Sequence, residues 1–506
     1  MHVSFLRFNA VRSGGISSAL RLSRTAKGRF AAHTTAAALL SAGVVGCSAS
    51  SDTAGAESSA GVSYESVTCS FTPPAGQTVT CGTLTLPEDR AKPTGRKVKI
   101  PIATIKSASQ KPGLLPLVYL PGGPGGGAIW SISQDSVQGR ALVDLAKERD
   151  VVVYDPRGTG AGDPALTCQM RESDGDCYKR LGATGVDFSK YATNDLADDV
   201  EDMRRALGYD QWDILGASYG TRVALELLRR HPDGVRATII DSVLPPQVDT
   251  IAESSPAVYG RLKATLDGCA ADAKCAASYP ALETVLLSAA STLKATPGTV
   301  TLDNGAMVPL DDQMFMNMTT GLLGAASTWP TLPEFVFKVR DKDYSLIKAS
   351  LQAGPSSGGS IANGVYMSDI CAEEAPFTSS DQVASVLAAK VPEAYRPYFV
   401  DMRVTSCQSW PVPAAQASAN QAITSDKPVL VLAGTFDVAT PPAWSKMAAE
   451  TLSKSQYVEL PGVMHVTFRE HACTRSVISD FLADPSAKPA PSCLATVTPP
   501  PFQIAR

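Results

Sequence analysis

A chain of 506 residues is long enough for two or three domain-sized units, or for one large enzyme fold carrying an insertion. Its 44% hydrophobic and 19% charged shares are those of a soluble globular protein. The net charge of −4, with lysines and arginines dispersed, argues against nucleic acid as a partner, because no basic face is available.

The first residues differ from the rest. Residues 1–30 hold Arg7, Arg12, Arg21, Arg24, Lys27 and Arg29 and no acid, and "AAHTTAAALLSAGVVGC" then runs small and apolar to Cys47. A positive flank, an apolar core and small residues before a break make a secretory signal. The run is too short and too weakly apolar for a good membrane span. Val44-Val45-Gly46-Cys47 resembles the bacterial lipobox, whose cysteine is lipidated and becomes the mature N-terminus. Residues 1–46 are therefore expected to be a lipoprotein signal peptide, with an ordinary cleaved signal as the alternative. Residues 47–62 read as a flexible tether, so the membrane would be met only through a lipid on Cys47. Setting Cys47 aside, the eleven cysteines leave ten, an even number that suits an oxidising compartment. Sequence does not fix their pairing. Short loops suggest Cys69–Cys81, Cys168–Cys177, Cys269–Cys275, Cys371–Cys407 and Cys473–Cys493. With no CxxC and only five histidines, a structural zinc site is not expected.

From about residue 98 strand-like and helix-like segments alternate: "VKIPIATIK", "LLPLVYLPGG", "DVVVYDPRGTG", "WDILGASYG", "ATIIDSVLP", "PVLVLAGTFD" and "QYVELPG". The later runs are short, continuous and β-branched, as in parallel strands covered on both faces. "ATNDLADDVEDMRRALGY" between two of them places Leu196, Val200, Met203 and Leu207 at helical spacing. The alternation predicts an open, mostly parallel, doubly wound α/β sheet. About 180 residues, 246–425, interrupt the rhythm with helical stretches and Gly/Pro/Ser-rich loops. A connection this long has structure of its own; it reads as a mostly helical cap inserted between core segments 63–245 and 426–506.

Ser218 stands in Gly216-Ala217-Ser218-Tyr219-Gly220, after a strand-like run and before "TRVALELLRR". One reading is a helix cap. The other is a nucleophile elbow at the C-terminal edge of the sheet, where ligands bind in such folds. A serine hydroxyl becomes nucleophilic only when a base takes its proton. Among the histidines, His2 and His33 lie in the signal, His231 ends the helix that Ser218 begins, and His471 lies in a helix-like stretch. His465, in the loop after "QYVEL", is the expected base. Asp437, after "PVLVLAG", is the expected acid holding the imidazole, with Asp241 as its rival. The oxyanion of acyl transfer needs backbone donors aimed at it. The amide of Tyr219 and that of Gly123, in "PGGPGGGAIW", are the expected pair; this loop lacks the spacing and the lysine of a phosphate-binding loop.

Together, "LPGGPGGG", "YDPRGTG", "GASYGTR", "GTFDVATPP" and "GVMHVTF" resemble the α/β-hydrolase family of prolyl and tripeptidyl aminopeptidases, in its secreted bacterial branch. The resemblance spans roughly residues 80–495. Pro121 departs from the prolyl iminopeptidases, whose loop carries His there. The resemblance implies an α/β-hydrolase fold with a cap, a Ser-His-Asp triad, no cofactor, and hydrolysis of peptide bonds near a free N-terminus. It also implies cap acids that bind the substrate ammonium; "SDICAEEAPF" offers Glu373 and Glu374, a solvated acidic pair being the plain alternative. An esterase or amidase using the same triad, and a non-catalytic peptide-binding lipoprotein, are the competing functions. Sequence does not give the oligomeric state.

Overall fold

In the computed structural model, residues 60–134, 136–353, 361–489 and 492–504 are described. Cys47 and the expected signal peptide lie outside them, as does nearly all of the tether. Before the cap come β1 (Ser63–Val67), β2 (Thr78–Pro87), β3 (Lys97–Lys106), β4 (Leu117–Leu120), β5 (Val151–Tyr154), β6 (Trp212–Ala217) and β7 (Val235–Asp241). The cap contains β8 (Gly298–Thr301) and β9 (Met307–Leu310), and β10 (Ser425–Gly434) and β11 (Leu452–Leu460) follow it. Nine of these form one sheet in the order β1-β2-β3-β5-β4-β6-β7-β10-β11. The strands from β1 to β3 are antiparallel, and β3 is antiparallel to β5. From β5 to β11 every pairing is parallel. This is the mostly parallel α/β-hydrolase sheet expected.

Residue alternation explains why the central strands are apolar throughout. In β5, Val152 and Tyr154 enter one buried cluster while Val151 and Val153 enter the other. Likewise in β10, Val429 and Val431 face one layer, and Leu430 and Leu432 the opposite one. A strand covered on both faces has no position that tolerates water. One layer holds the helices Thr193–Ala206 and Tyr219–Arg230; the other holds Val137–Leu145 and Ala472–Ala483.

Two features differ from the expectation. Strands β1 and β2 precede the first one read from the sequence, and they form an antiparallel extension. Their signal is the weaker, half-exposed kind: Leu84 and Leu86 are buried while Thr83 and Thr85 are not. The second difference concerns 246–425. Helices from Thr250 to Arg340 and the β8–β9 hairpin do build a separate cap cluster. Ala362, Val365, Met367, Cys371, Trp410 and Ile423, however, belong to the core cluster of the sheet. Trp410 is fully buried, packs edge-on against Phe188 at 5.0 Å, and donates its indole N–H to Ser368 Oγ at 3.1 Å.

Five disulfides join the described cysteines: Cys69–Cys81, Cys168–Cys177, Cys269–Cys275, Cys371–Cys407 and Cys473–Cys493. These are the pairs that the short loops suggested.

Candidate active site

The site lies where four neighbouring parallel strands end. Ala217 of β6 is in register with Asp241 of β7, and Asp241 with Leu432 of β10. Ser218, one residue past β6, has φ 56° and ψ −126°, and helix Tyr219–Arg230 begins immediately after it. A non-glycine residue in this region is strained and is held there by its surroundings. The flanking glycines are required sterically. A Cβ at Gly216 would stand 2.5 Å from the Gly220 carbonyl oxygen, and one at Gly220 would stand 2.1 Å from that of Leu120. Ser218 makes no side-chain cap bond to its helix. Its Oγ is buried and has no hydrogen-bond partner. The capping explanation therefore fails.

Asp437 and His465 lie in the turns after β10 and β11. The Nδ1 of His465 is 2.8 and 2.9 Å from the two oxygens of Asp437. That carboxylate also accepts the N–H groups of Ala439 and Thr440, both at 2.9 Å, and the Thr440 hydroxyl at 2.8 Å. Burial pushes the Asp437 carboxyl up, but His465 and these hydrogen bonds outweigh it and hold its pKa below the ordinary value. An ionised acceptor assigns the imidazole proton to Nδ1, which leaves a lone pair on Nε2. The Nε2 is buried and has no partner among the described residues. A serine and an imidazole so prepared can act as nucleophile and base.

Asp241, the rival acid, has another role. Its backbone carbonyl accepts the Ser218 N–H at 3.0 Å. Its carboxylate accepts the N–H groups of Thr467 and Phe468, at 3.0 and 2.8 Å, plus the Thr467 hydroxyl at 3.0 Å. Ser242 Oγ accepts the Val466 N–H at 2.7 Å. One residue thus grips both the serine turn and the turn after His465. Burial pushes the Asp241 carboxyl up to about 6, against the pull of those N–H groups. The other two histidines among the described residues are occupied: His231 meets Asp198 at 2.7 Å, and His471 caps a helix by accepting the Cys473 N–H at 3.1 Å.

The glycine loop approaches the serine closely. A Cβ at Gly122 would fall 2.9 Å from Ser218 Cβ and 3.3 Å from its Oγ. Among the described residues, no acceptor takes the N–H of Gly123 or that of Tyr219. Asp155, after β5, anchors the far end of the loop by accepting the Ala128 and Ile129 N–H groups at 2.9 and 3.0 Å. The loop is also tied to the returning cap segment, since the Gly125 carbonyl accepts the Ala362 N–H at 2.9 Å.

Glu373 and Glu374 are 1% and 5% exposed. Thr193 donates its N–H and its hydroxyl to the two oxygens of Glu373, each at 2.8 Å. Glu374 pairs with Arg222 through one oxygen and accepts the Thr250 hydroxyl at 2.8 Å through the other. Arg222 lies 3.3 Å from Glu373 as well. The Tyr219 hydroxyl meets Asp369 at 2.5 Å and the Thr193 hydroxyl at 2.9 Å. These acids are therefore neither solvated nor free-standing, and they tie the residue after Ser218 to the Cys371–Cys407 region. Burial, and the neighbouring Glu373 charge after it, push the Asp369 carboxyl well up. Glu374→Gln is expected to lower the unfolding free energy by about 3 kcal/mol, because Arg222 loses its closest carboxylate inside the protein. Denaturant titration checks this; an unchanged midpoint would show that the pair carries no stability.

Comparison with known proteins agrees with the fold. A tripeptidyl aminopeptidase of Streptomyces coelicolor is 28% identical over 247 residues, 42% of this chain and 44% of that protein, so less than half of the relative's length is matched. The serine protease Hip1 of Mycobacterium tuberculosis is 24% identical over 462 residues, covering 81% of this chain and 86% of the relative. Carboxylesterase B of the same organism is 26% identical over 468 residues, with 82% and 86% covered. The solved proline iminopeptidase of Mycobacterium smegmatis aligns at 17% identity and TM-score 0.37, over 80% of this chain and 98% of that one. The profile of the alpha/beta hydrolase fold matches residues 116–472. That span runs from the start of β4 past His465 and takes in the four strand ends that build the site, and the chain belongs to the α/β hydrolase fold family.

Proposed function

We propose that this protein is an exported serine hydrolase that releases short N-terminal pieces from peptides through an acyl-enzyme on Ser218. The observation carrying the proposal is the buried His465–Asp437 pair, with Nε2 unpartnered, tied through Asp241 to the strained turn of Ser218. In the first half-reaction Ser218 Oγ attacks the scissile carbonyl and passes its proton to Nε2. The N–H groups of Gly123 and Tyr219 receive the negative charge on the carbonyl oxygen, a contribution of about 3 kcal/mol per donor. Nε2 then returns the proton to the departing amine. Water repeats the sequence on the acyl-enzyme and frees Ser218, so the chemistry needs no cofactor.

The peptidase names of two relatives support the substrate class, while the carboxylesterase name supports simple esters as the second reading. A free N-terminus is supported by the aminopeptidase name of one relative. Glu373 and Glu374 are the candidate acids to meet its ammonium group, but both pair with Arg222, and burial pushes the Asp369 carboxyl well up and the Glu373 carboxyl up, so the cluster would offer hydrogen-bond acceptors rather than a net negative field. Five disulfides and the N-terminal signal pattern support export, with Cys47 as the lipid-bearing residue.

Chromogenic amides of one, two and three residues, each with a free or acetylated N-terminus, together with simple esters, provide the test. Free-amine peptides are expected to be cleaved at least roughly ten-fold faster than their acetylated forms, the scale of one charge-assisted contact. Equal rates for free and blocked substrates, with esters fastest, would select the esterase reading. Failure of folded protein to react with a fluorophosphonate would select a non-catalytic binding protein.

A further inference from the structure

Where the cap meets the turn bearing Asp437, one cation has no counterion among the described residues. Arg261, from the cap helix Thr250–Ala271, is 9% exposed. Its guanidinium carbon lies 3.4 Å from the ring centre of Phe436, the residue before Asp437, and 5.5 Å from that of Trp329. Trp329 is 2% exposed and packs edge-on against Phe436 at 5.0 Å. The Arg261 Nε–H and the Trp329 indole N–H are both buried and neither meets an acceptor.

The contrast with other buried arginines is direct. Arg157 pairs with Asp199, Arg222 with Glu374, and Arg149 with Asp213. Among the described residues no carboxylate pairs with Arg261, and burial alone pushes its pKa down to about 10. Stacking on aromatic rings recovers part of the lost hydration but satisfies none of the in-plane N–H donors. A second copy of the same problem, the indole N–H, sits beside it. Both would be answered by one acceptor of negative charge arriving from outside.

Resting on the hydrolase reading above, we propose that Arg261, with the Trp329 indole N–H beside it, receives a carboxylate of the substrate. Arg261 stacks on Phe436, the residue before Asp437, so a carboxylate that reaches it lies beside the turn carrying the proposed catalytic acid. Such a contact suits short peptides that carry a carboxylate beyond the cleaved bond. The carboxylate is either the C-terminus of the peptide or an acidic side chain, and matched substrates separate the two.

Three peptides of one sequence are compared: one with a free C-terminus, one amidated, and one amidated with a glutamate added beyond the scissile bond. Wild type is expected to favour a carboxylate-bearing peptide by roughly ten- to a hundred-fold in kcat/KM, the range of a hydrogen bond to a charged group. Preference for the first peptide identifies the C-terminus, and preference for the third the side chain. Arg261→Met is expected to lose the preference while keeping its rate on the neutral peptide; Arg261→Lys, which keeps charge and stem, retains part of it. Calorimetric binding of the same peptides to Ser218→Ala protein, with and without Arg261→Met, reads the anion contact apart from turnover. Equal binding of charged and neutral peptides, or a preference that survives Arg261→Met, would leave Arg261 a stacking residue and overturn the proposal. Absent turnover with a preserved binding preference would count against the hydrolase reading alone.

Discussion

Ser218→Ala is expected to reduce hydrolysis by about 10⁵-fold while leaving the protein folded. The nucleophile disappears, and the residual rate comes from the backbone donors and from substrate binding. Stability should respond in the opposite sense. The Oγ is buried without a partner, so the folded protein bears its desolvation with no compensating bond. Alanine removes that penalty and keeps the Cβ, so the backbone strain at φ 56° is unchanged. The expected outcome is an unfolding free energy equal to wild type or higher by up to about 1 kcal/mol. Paired rate and denaturation measurements test both halves. Turnover near that of wild type would remove Ser218 as the nucleophile, and a collapse in stability would mean that the hydroxyl has a structural partner.

Asp437→Asn is expected to lower kcat by about 10⁴-fold at neutral pH, with little change in KM. The substitution preserves shape but replaces an ion that accepts from Nδ1 by an amide that can also donate. The imidazole then turns to its other tautomer, its Nε2 carries a proton, and no base faces Ser218. Acid stability changes too. The folded pKa of Asp437 lies below its unfolded value of about 3.9. The ionised group therefore contributes stability above that value, and the contribution is lost as pH falls through the folded pKa. Asp437→Asn should flatten this part of the stability-against-pH profile. A variant with full kcat would show that another acid orients His465, and Asp241 would be the first to examine.

The strand ends were readable because burial on both faces forces continuous apolar runs, and because ligand sites gather where parallel strands stop. Ser218, Asp437 and His465 each follow such a run, and the structure brings the last two into hydrogen-bond contact beside the turn of the first. The choice between Asp437 and Asp241 lay beyond pattern reading, since both acids end strands. Only the sheet order, with β7 between β6 and β10, shows that Asp241 faces the backbone after His465. The buried state of Glu373 and Glu374 was equally hidden. Their neutralising partner, Arg222, lies about 150 residues away, and a local acidic pair looks solvated when its partner is distant in the chain. Arg261 gave no signal at all, because its oddity, the lack of a counterion among the described residues, is one that only three dimensions can reveal.

The settling of Ala362, Val365, Met367, Cys371, Trp410 and Ile423 into the sheet's helical layer bears on how this protein could be re-engineered. A lid swap cut at 246 and 425, the natural breakpoints by sequence, would carry away Trp410, the Cys371–Cys407 staple and the groups that steady Tyr219. The transplantable roof is discontinuous: the helices from Thr250 to Arg340 share one cluster with Val391, Tyr395 and Phe399, so a chimera has to exchange both pieces and leave residues 362–371 and Trp410 in place to keep a working elbow.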